Sequence, residues 1–261
     1  MTGLRSSRSI LTILLLAAFG WSLTSVDWRE GVLNVQGTPA LLEFLAAAVR
    51  PVLTPAFLGR AVAALWQTVA YAVAGMTVAL LIGAVLGTLA SGALAHRRVA
   101  RFGEVVGARA TLGLLRAIHE LVWAWLFIAA LGLSPITGVL ALGVAYGGIL
   151  GLIFAQHLAD APTAPLRALQ AAGARPWQAF LYGRLPLVLP DLVSYALYRF
   201  ECALRAAAVF SFVGLGGLGA ELQLSLRELN YGEVWTLLFL LIALIVAVDW
   251  WSGEVRRRMT T

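Results

Sequence analysis

From Thr68 to Leu94 the chain runs 27 residues without one charged side chain. About 20 apolar residues are enough to cross a bilayer as a helix, and stretches approaching this length recur along the sequence. Of 261 residues, 61% are hydrophobic and only 12% charged, with a mean hydropathy of +0.87, against about half and a quarter in soluble domains. Such a chain has too little polar surface to face water. Backbone polar groups in lipid must be satisfied internally, so the expected fold is an all-α membrane protein.

Six stretches are candidate spans: Ile10 to Leu23, Thr68 to Leu94, Leu112 to Gly132, Ile136 to His157, Pro190 to Val213, and Val234 to Trp251, the last carrying Asp249 near its end. The first is short and follows Arg5 and Arg8, which also fits a signal peptide, although no A-x-A cleavage site follows it. Between Leu41 and Gln67 the apolar pattern is interrupted by Glu43, Arg50, Pro51, Pro55 and Arg60. This predicts an interfacial amphipathic helix with Trp66 at the headgroup level. The expected organisation is an N-terminal region, 1–66, followed by a transmembrane core, 67–261.

All 19 basic residues are arginine. Without lysine there is neither a P-loop phosphate clamp nor a Schiff base, and a single cysteine, Cys202, excludes an intrachain disulfide or a thiolate cluster. No metal set and no catalytic set are expected. The net charge of +6 does not point to nucleic acid, because the arginines sit at the ends of apolar stretches. With the N-terminus inside, cytoplasmic segments hold twelve of them (Arg5, Arg8, Arg97, Arg98, Arg101, Arg109, Arg167, Arg175, Arg184, Arg256, Arg257, Arg258) and outer segments hold four (Arg29, Arg50, Arg60, Arg227). That asymmetry places both termini in the cytoplasm.

The other three, Arg116, Arg199 and Arg205, lie within spans, where a charge costs roughly 2.5–3.5 kcal/mol even on the lenient insertion scale. Arg116, His119 and Glu120 stand at i, i+3 and i+4, which predicts one shared helix face. Glu201 and Arg205 form an i, i+4 pair in the favourable order, on a helix that also carries Tyr195, Tyr198, Arg199 and Cys202. Three readings are open. These groups staple two helices together, line a path for an anion, or relay protons through His119, Glu120 and Glu201 as in an ion-coupled carrier. An intramembrane hydrolase using Ser211 and His157 is disfavoured, since no G-x-S-x-G motif occurs.

The cytoplasmic stretch from Ala159 to Asp191 is long for a connector. A short alanine-rich helix is expected to begin after Pro165 and stop at Gly173, with Leu166, Leu169 and Gln170 at helical spacing. A second amphipathic run, Trp177 to Tyr182, leads to Leu185-Pro186 and Leu189-Pro190, which reset the chain into the fifth span. Beyond that span, Gly214, Gly216, Gly217 and Gly219 fall within six positions. No strand precedes them, so a dinucleotide fingerprint fails. They predict a flexible external hinge or gate.

Gly173-Ala174-Arg175-Pro176-Trp177-Gln178, with Leu185-Pro186 about a dozen residues later, resembles the "EAA" loop in membrane subunits of binding-protein-dependent ABC importers. Arg167 stands where that family has an acid. The stretches Arg116 to Ala124 and Tyr195 to Glu201 are similar to the phosphonate permease branch, and the likeness runs from about Trp66 to the C-terminus. It implies a type I importer permease of the methionine/phosphonate type, with a cytoplasmic coupling helix in the loop 159–190, inserted many times in a bacterial inner membrane. It also implies a partner ATPase dimer carrying ATP and Mg, an external substrate-binding protein and a second permease copy, with no cofactor in this chain. The implied ATPase-coupling residues are Arg167, Ala168, Gln170, Ala171, Gly173, Ala174 and Pro186. The implied translocation pathway is Arg116, His119, Glu120, Tyr195, Tyr198, Arg199, Glu201 and Arg205, suited to a phosphonate, phosphite, hypophosphite or phosphate.

Overall fold

A computed structural model describes residues 3–25, 37–93, 98–210 and 214–260, and no strand occurs among them. Arg29, Arg97, Ser211 and Val213 lie outside the described residues, as do the side chains of Arg5, Arg8, Arg98 and Arg101. Residues 1–46 and 47–261 form two compact units. The first holds α1 (Gly3–Thr24) and nearly all of α2 (Thr38–Ala47). Every described side chain of α1 is exposed. Its C-terminal end is closed by Thr24 Oγ1 and Ser25 Oγ, which donate to the Trp21 carbonyl at 2.8 and 3.1 Å.

In the second unit, three helices are long and apolar enough to cross a membrane: α3 (Pro55–Ser91), α6 (Pro135–Asp160) and α11 (Tyr231–Thr260). The expected interfacial helix ending at Trp66 is not a separate element. α3 begins at Pro55 and passes unbroken through residues 66 and 67. Pro55 sits at the helix start, where its missing N–H is no loss, and the Arg60 guanidinium lies over the Phe57 ring at 5.6 Å, so neither interrupts the helix. The preceding strap is tied to α11: Val52 N donates to Gly232 O at 3.3 Å, and Thr236 Oγ1 donates to Val52 O at 2.9 Å.

α3 and α6 pack along much of their length because glycines let the backbones approach. A Cβ added at Gly143 would stand 2.5 Å from Val78, and one at Gly147 would stand 2.8 Å from Ile82. Gly143, Gly147 and Gly151 repeat every fourth residue, the small-xxx-small spacing that brings membrane helices together without a hydrophobic driving force. Leu142, Ala145, Leu150 and Phe154 fill the same interface as buried core.

The third expected span is two helices, α4 (Arg98–Ala117) and α5 (Glu120–Leu131), meeting at 90°. α5 has 12 residues, about 18 Å of rise, too short to span alone. Each end at the corner is capped by a side chain, one local and one from across it. His119 is the N-cap of α5, its Nδ1 accepting from Leu121 N at 3.2 Å. Trp123 Nε1 donates to Leu115 O, in the last turn of α4, at 3.1 Å. Irregular backbone at membrane depth needs protein around it, and α6 supplies that. Leu112 is fully buried against Gly151, and a Cβ at Gly148 would meet Arg116 N at 2.7 Å.

α7 (Thr163–Ala171), the three-residue α8 (Pro176–Gln178) and a π-helical turn (Ala179–Arg184) lead into α9 (Leu185–Phe210). The fifth stretch therefore starts as helix at Leu185 rather than after Pro190. Pro190 lies inside α9, near its start, where it removes one ladder bond. α9 is long enough to cross and differs from the other spans in carrying Asp191, Arg199, Glu201 and Arg205. A glycine loop and α10 (Leu218–Arg227) join it to α11.

Candidate functional site

Three regions hold the residues singled out above. The first lies where the α4–α5 corner faces α6 and α9. His119, Glu120, Tyr146, Cys202 and Arg205 line a cavity of about 270 Å³, closed on its apolar side by Leu121 and Phe210. The break changes how the first three polar groups relate. Arg116 closes α4, His119 caps α5 and Glu120 opens it, so they do not share one helix face as expected. His119 and Glu120 reach the cavity, and the exposed Arg116 is not among its lining residues. His119 Nε2 stands 3.6 Å from Glu120 Oε2. Because Nδ1 accepts from a backbone amide, the neutral ring carries its proton on Nε2, facing away from the cap.

The expected Glu201–Arg205 side-chain pair does not form. Glu201 is 8% exposed, and its Oε1 accepts from Ser252 Oγ and, at 3.1 Å, from Arg256 Nη2, both on α11. Arg205 is exposed and meets Glu201 only through its backbone carbonyl, at 3.5 Å from Nε, with Nη2 3.8 Å from Cys202 Sγ. A buried carboxylate needs a paired donor set, and α11 provides a better one than the next turn of its own helix. The acid that the sequence places beside Arg205 is therefore spent elsewhere, and α9 keeps a surplus of positive charge.

Arg199 lies one face round on α9, its guanidinium over the neighbouring rings of Tyr195 and Tyr198 at 5.1 and 5.4 Å. Its Nε donates to Tyr195 Oη at 2.9 Å. A guanidinium over aromatic faces is stabilised by their quadrupoles and loses little freedom on meeting a ligand.

The second region is α7, which starts at Thr163, three residues earlier than expected after Pro165. Pro165 falls in the first turn, where the amide is unbonded anyway. Leu166 and Leu169 pack on Gly183 of the π-helical turn, where a Cβ would stand 2.9 and 2.8 Å from their methyl carbons. The helix ends at Gly173, with φ of +88°. Gly173 N donates to Gln170 O and Ala174 N to Leu169 O, both at 3.0 Å, the paired bonds of a Schellman C-cap. With its leucines turned inward, α7 leaves Arg167, Ala168, Gln170 and Ala171 exposed, beside exposed Gly173 and half-buried Ala174. Pro186, in the first turn of α9, is exposed as well.

The third region is the glycine loop, which is held rather than flexible. Tyr71 Oη donates to Leu215 O at 2.8 Å, Gly217 N to Gln67 Oε1 at 3.1 Å and Leu218 N to Thr68 Oγ1 at 2.9 Å. Gly214, Gly216 and Gly217 have φ of +93°, +82° and +85°, open to glycine without strain. A side chain at Gly216 would also strike Gln67, at 2.7 Å. Gly219 belongs to the first turn of α10 rather than to the loop. Sequence reasoning passed over Tyr146 and the anchors Gln67, Thr68 and Tyr71. The signal for the anchors was there: three polar side chains within five residues of an otherwise apolar span.

Comparison with known proteins places this architecture. The family model for the inner membrane component of binding-protein-dependent transport systems matches residues 10–261. The chain is 35% identical over 233 residues to the phosphite transport system permease protein PtxC of Stutzerimonas stutzeri, covering 88% of this chain and 83% of that one. It is 34% identical over 194 residues to the phosphate-import permease protein PhnE of Mycolicibacterium smegmatis, covering 74% and 36%. Among solved structures, an inward-facing MetNI methionine ABC transporter chain matches with a TM-score of 0.70 at 22% identity, over 80% of this chain and all of that one. At that identity the likeness establishes the fold, that of a type I ABC importer permease. With its apolar helices, its short helix between the fourth and fifth apolar stretches and a family match over nearly its whole length, the chain belongs to the binding-protein-dependent transport system inner membrane components, as a multi-pass transport subunit and not an enzyme.

Proposed function

We propose that this chain forms the translocation pathway of an ATP-driven importer for phosphonate or a related phosphorus oxyanion such as phosphite, hypophosphite or phosphate. The observation that carries the reading is that neither Arg199 nor Arg205 on α9 forms an ion pair with Glu201. Arg205 opens on the cavity and Arg199 lies over the rings of Tyr195 and Tyr198, while Glu201 is engaged by Arg256. The named transport roles of the phosphite and phosphate relatives support the same substrate class. Arg116, His119, Glu120, Tyr195, Tyr198, Arg199 and Arg205 border the path, and Glu201 acts on it by holding α9 to α11. An ion-coupled carrier is disfavoured by the family match.

The rest of the machine lies in other chains. A cytoplasmic ATPase dimer binds ATP and Mg and presses on the exposed face of α7, with Arg167 in the place of the acid usual in such loops. An external binding protein delivers substrate near the glycine loop, and a second copy of this chain completes the pore. Both termini are cytoplasmic, in keeping with the arginine asymmetry. ATP-driven closure of the two ATPases moves α7, and α7 moves the π-helical turn on which its leucines pack, which continues directly into α9. The site then alternates between inward- and outward-facing states, as differential affinity for the two requires.

The test is ATP-dependent phosphite uptake into proteoliposomes holding the assembled transporter. Arg205→Glu should lower uptake at least about tenfold, since a charge-assisted contact contributes about 1.5–3 kcal/mol. Unchanged uptake with normal assembly refutes the lining role.

A further inference from the structure

Tyr146 has no place in the pathway read from the sequence, yet it is 94% buried by its 6% exposure and lines the cavity beside Arg205. Its hydroxyl makes no hydrogen bond among the described residues. No fully buried side-chain oxygen among them lacks a partner, so the Tyr146 oxygen opens on the cavity. A phenol that opens on the cavity without a protein acceptor can donate its proton to whatever occupies that cavity.

The same cavity holds donors and one carboxylate. Arg205 has its guanidinium only loosely engaged, and His119 presents Nε2–H. Glu120 is an acceptor facing these donors. For a fully ionised anion that carboxylate is a repulsive wall. For an oxyanion that still carries a hydroxyl it is a partner, because a P–OH group donates and a carboxylate accepts. With a second ionisation at about pH 6, a phosphomonoester-like oxyanion still has roughly one molecule in ten protonated at pH 7, and a larger share below it. Sulfate has none to give. The cavity volume of about 270 Å³ falls just under the range of about 300–1,000 Å³ for drug-sized ligands, which suits a small ion.

We propose that the cavity beneath the α4–α5 corner is a selective station for hydrogen-bearing phosphorus oxyanions, with Tyr146 and Arg205 donating to the charged oxygens and Glu120 accepting from the P–OH group. The inference rests on the oxyanion-importer reading above and deepens it. Selectivity then exists inside the permease as well as in the delivering protein, with Glu120 as the discriminating residue.

The test uses the permease assembled with its ATPase in lipid nanodiscs, without binding protein, so that discrimination is the membrane subunit's own. Binding of labelled phosphite is measured by equilibrium dialysis, alone and against unlabelled sulfate. The wild type should bind phosphite and resist sulfate. Tyr146→Phe, which keeps the ring, should weaken phosphite binding about tenfold. Glu120→Gln, which keeps an accepting oxygen and removes the charge, should make sulfate compete about tenfold better. If Tyr146→Phe fails to assemble, the Glu120→Gln competition decides alone. Wild-type phosphite binding with neither variant changed overturns the station, and so does absent binding by a transporter that imports phosphite when its binding protein is supplied. A complete transporter that imports neither phosphite nor methylphosphonate overturns the underlying reading instead.

Discussion

Replacing Gly173 separates the mechanical role of α7 from its mere presence. The glycine sits at φ of +88° and closes the helix through two 3.0 Å bonds. No atom lies within 4 Å of where a Cβ would stand, so a substitution meets backbone strain and no clash. The left-handed region costs an ordinary L-residue about 1–2 kcal/mol, which shifts the balance between closed and frayed cap by about five- to thirtyfold. Asparagine tolerates this region better than alanine, and valine tolerates it least. The expected order of damage is therefore Gly173→Asn, then Gly173→Ala, then Gly173→Val. Two readouts track it: hydrogen exchange at the Gly173 and Ala174 amides, which make the capping bonds, and the fraction of ATPase that co-purifies. Membrane insertion should be unchanged throughout, because α7 lies outside the apolar stretches. Equal ATPase retention by the asparagine and valine variants, with the valine cap open by exchange, would falsify the view that a closed α7 is what the ATPase grips.

Other consequences can be checked in the same preparation. Gly147→Leu should lower stability by more than the roughly 1–3 kcal/mol typical of overpacking, since even a Cβ there stands 2.8 Å from Ile82; thermal melting in detergent measures it, and Ile82→Ala should restore part of the loss. Glu201→Ala should cost about 2 kcal/mol, held down because Arg256 keeps part of its side chain exposed; a double-mutant cycle with Arg256→Ala should return a coupling above about 0.5 kcal/mol. Leu229 is 67% exposed at φ of +56° and follows α10 in a second Schellman pair, Asn230 N to Ser225 O and Leu229 N to Leu226 O. Leu229→Gly should therefore raise stability by about 1 kcal/mol, and a lower melting temperature would refute the strain.

The apolar stretches were legible because lipid imposes length and hydropathy on any helix that crosses it, and the segment around α7 was legible because proline and glycine mark its ends. What escaped was decided across helices. The corner between α4 and α5 contains neither glycine nor proline, and only the pair His119-Glu120 inside an apolar run hinted at a new helix start. Glu201 and Arg205 have ideal spacing for each other, yet Arg256, 55 residues further on, wins the carboxylate because burial rewards the donor that can enclose it. Gly143, Gly147 and Gly151 announced a contact surface without saying that α3 would fill it at the first two and Leu112 of α4 at the third. Tyr146 carries no local pattern at all, and its interest arises only from what surrounds it.

The corner also constrains how the polypeptide can be made. Its two walls leave the ribosome first, while the glycines that receive Leu112 and Leu115 belong to α6, which follows. Until Gly148 and Gly151 emerge, Leu112 and Leu115 of the right-angled corner have no glycine face to pack against within the hydrocarbon. The nascent segment must wait at the interface or beside the insertion machinery, and it turns inward only when its support arrives. Slowing translation just before Gly148 should lengthen that wait, and misassembled chains should be those captured during it.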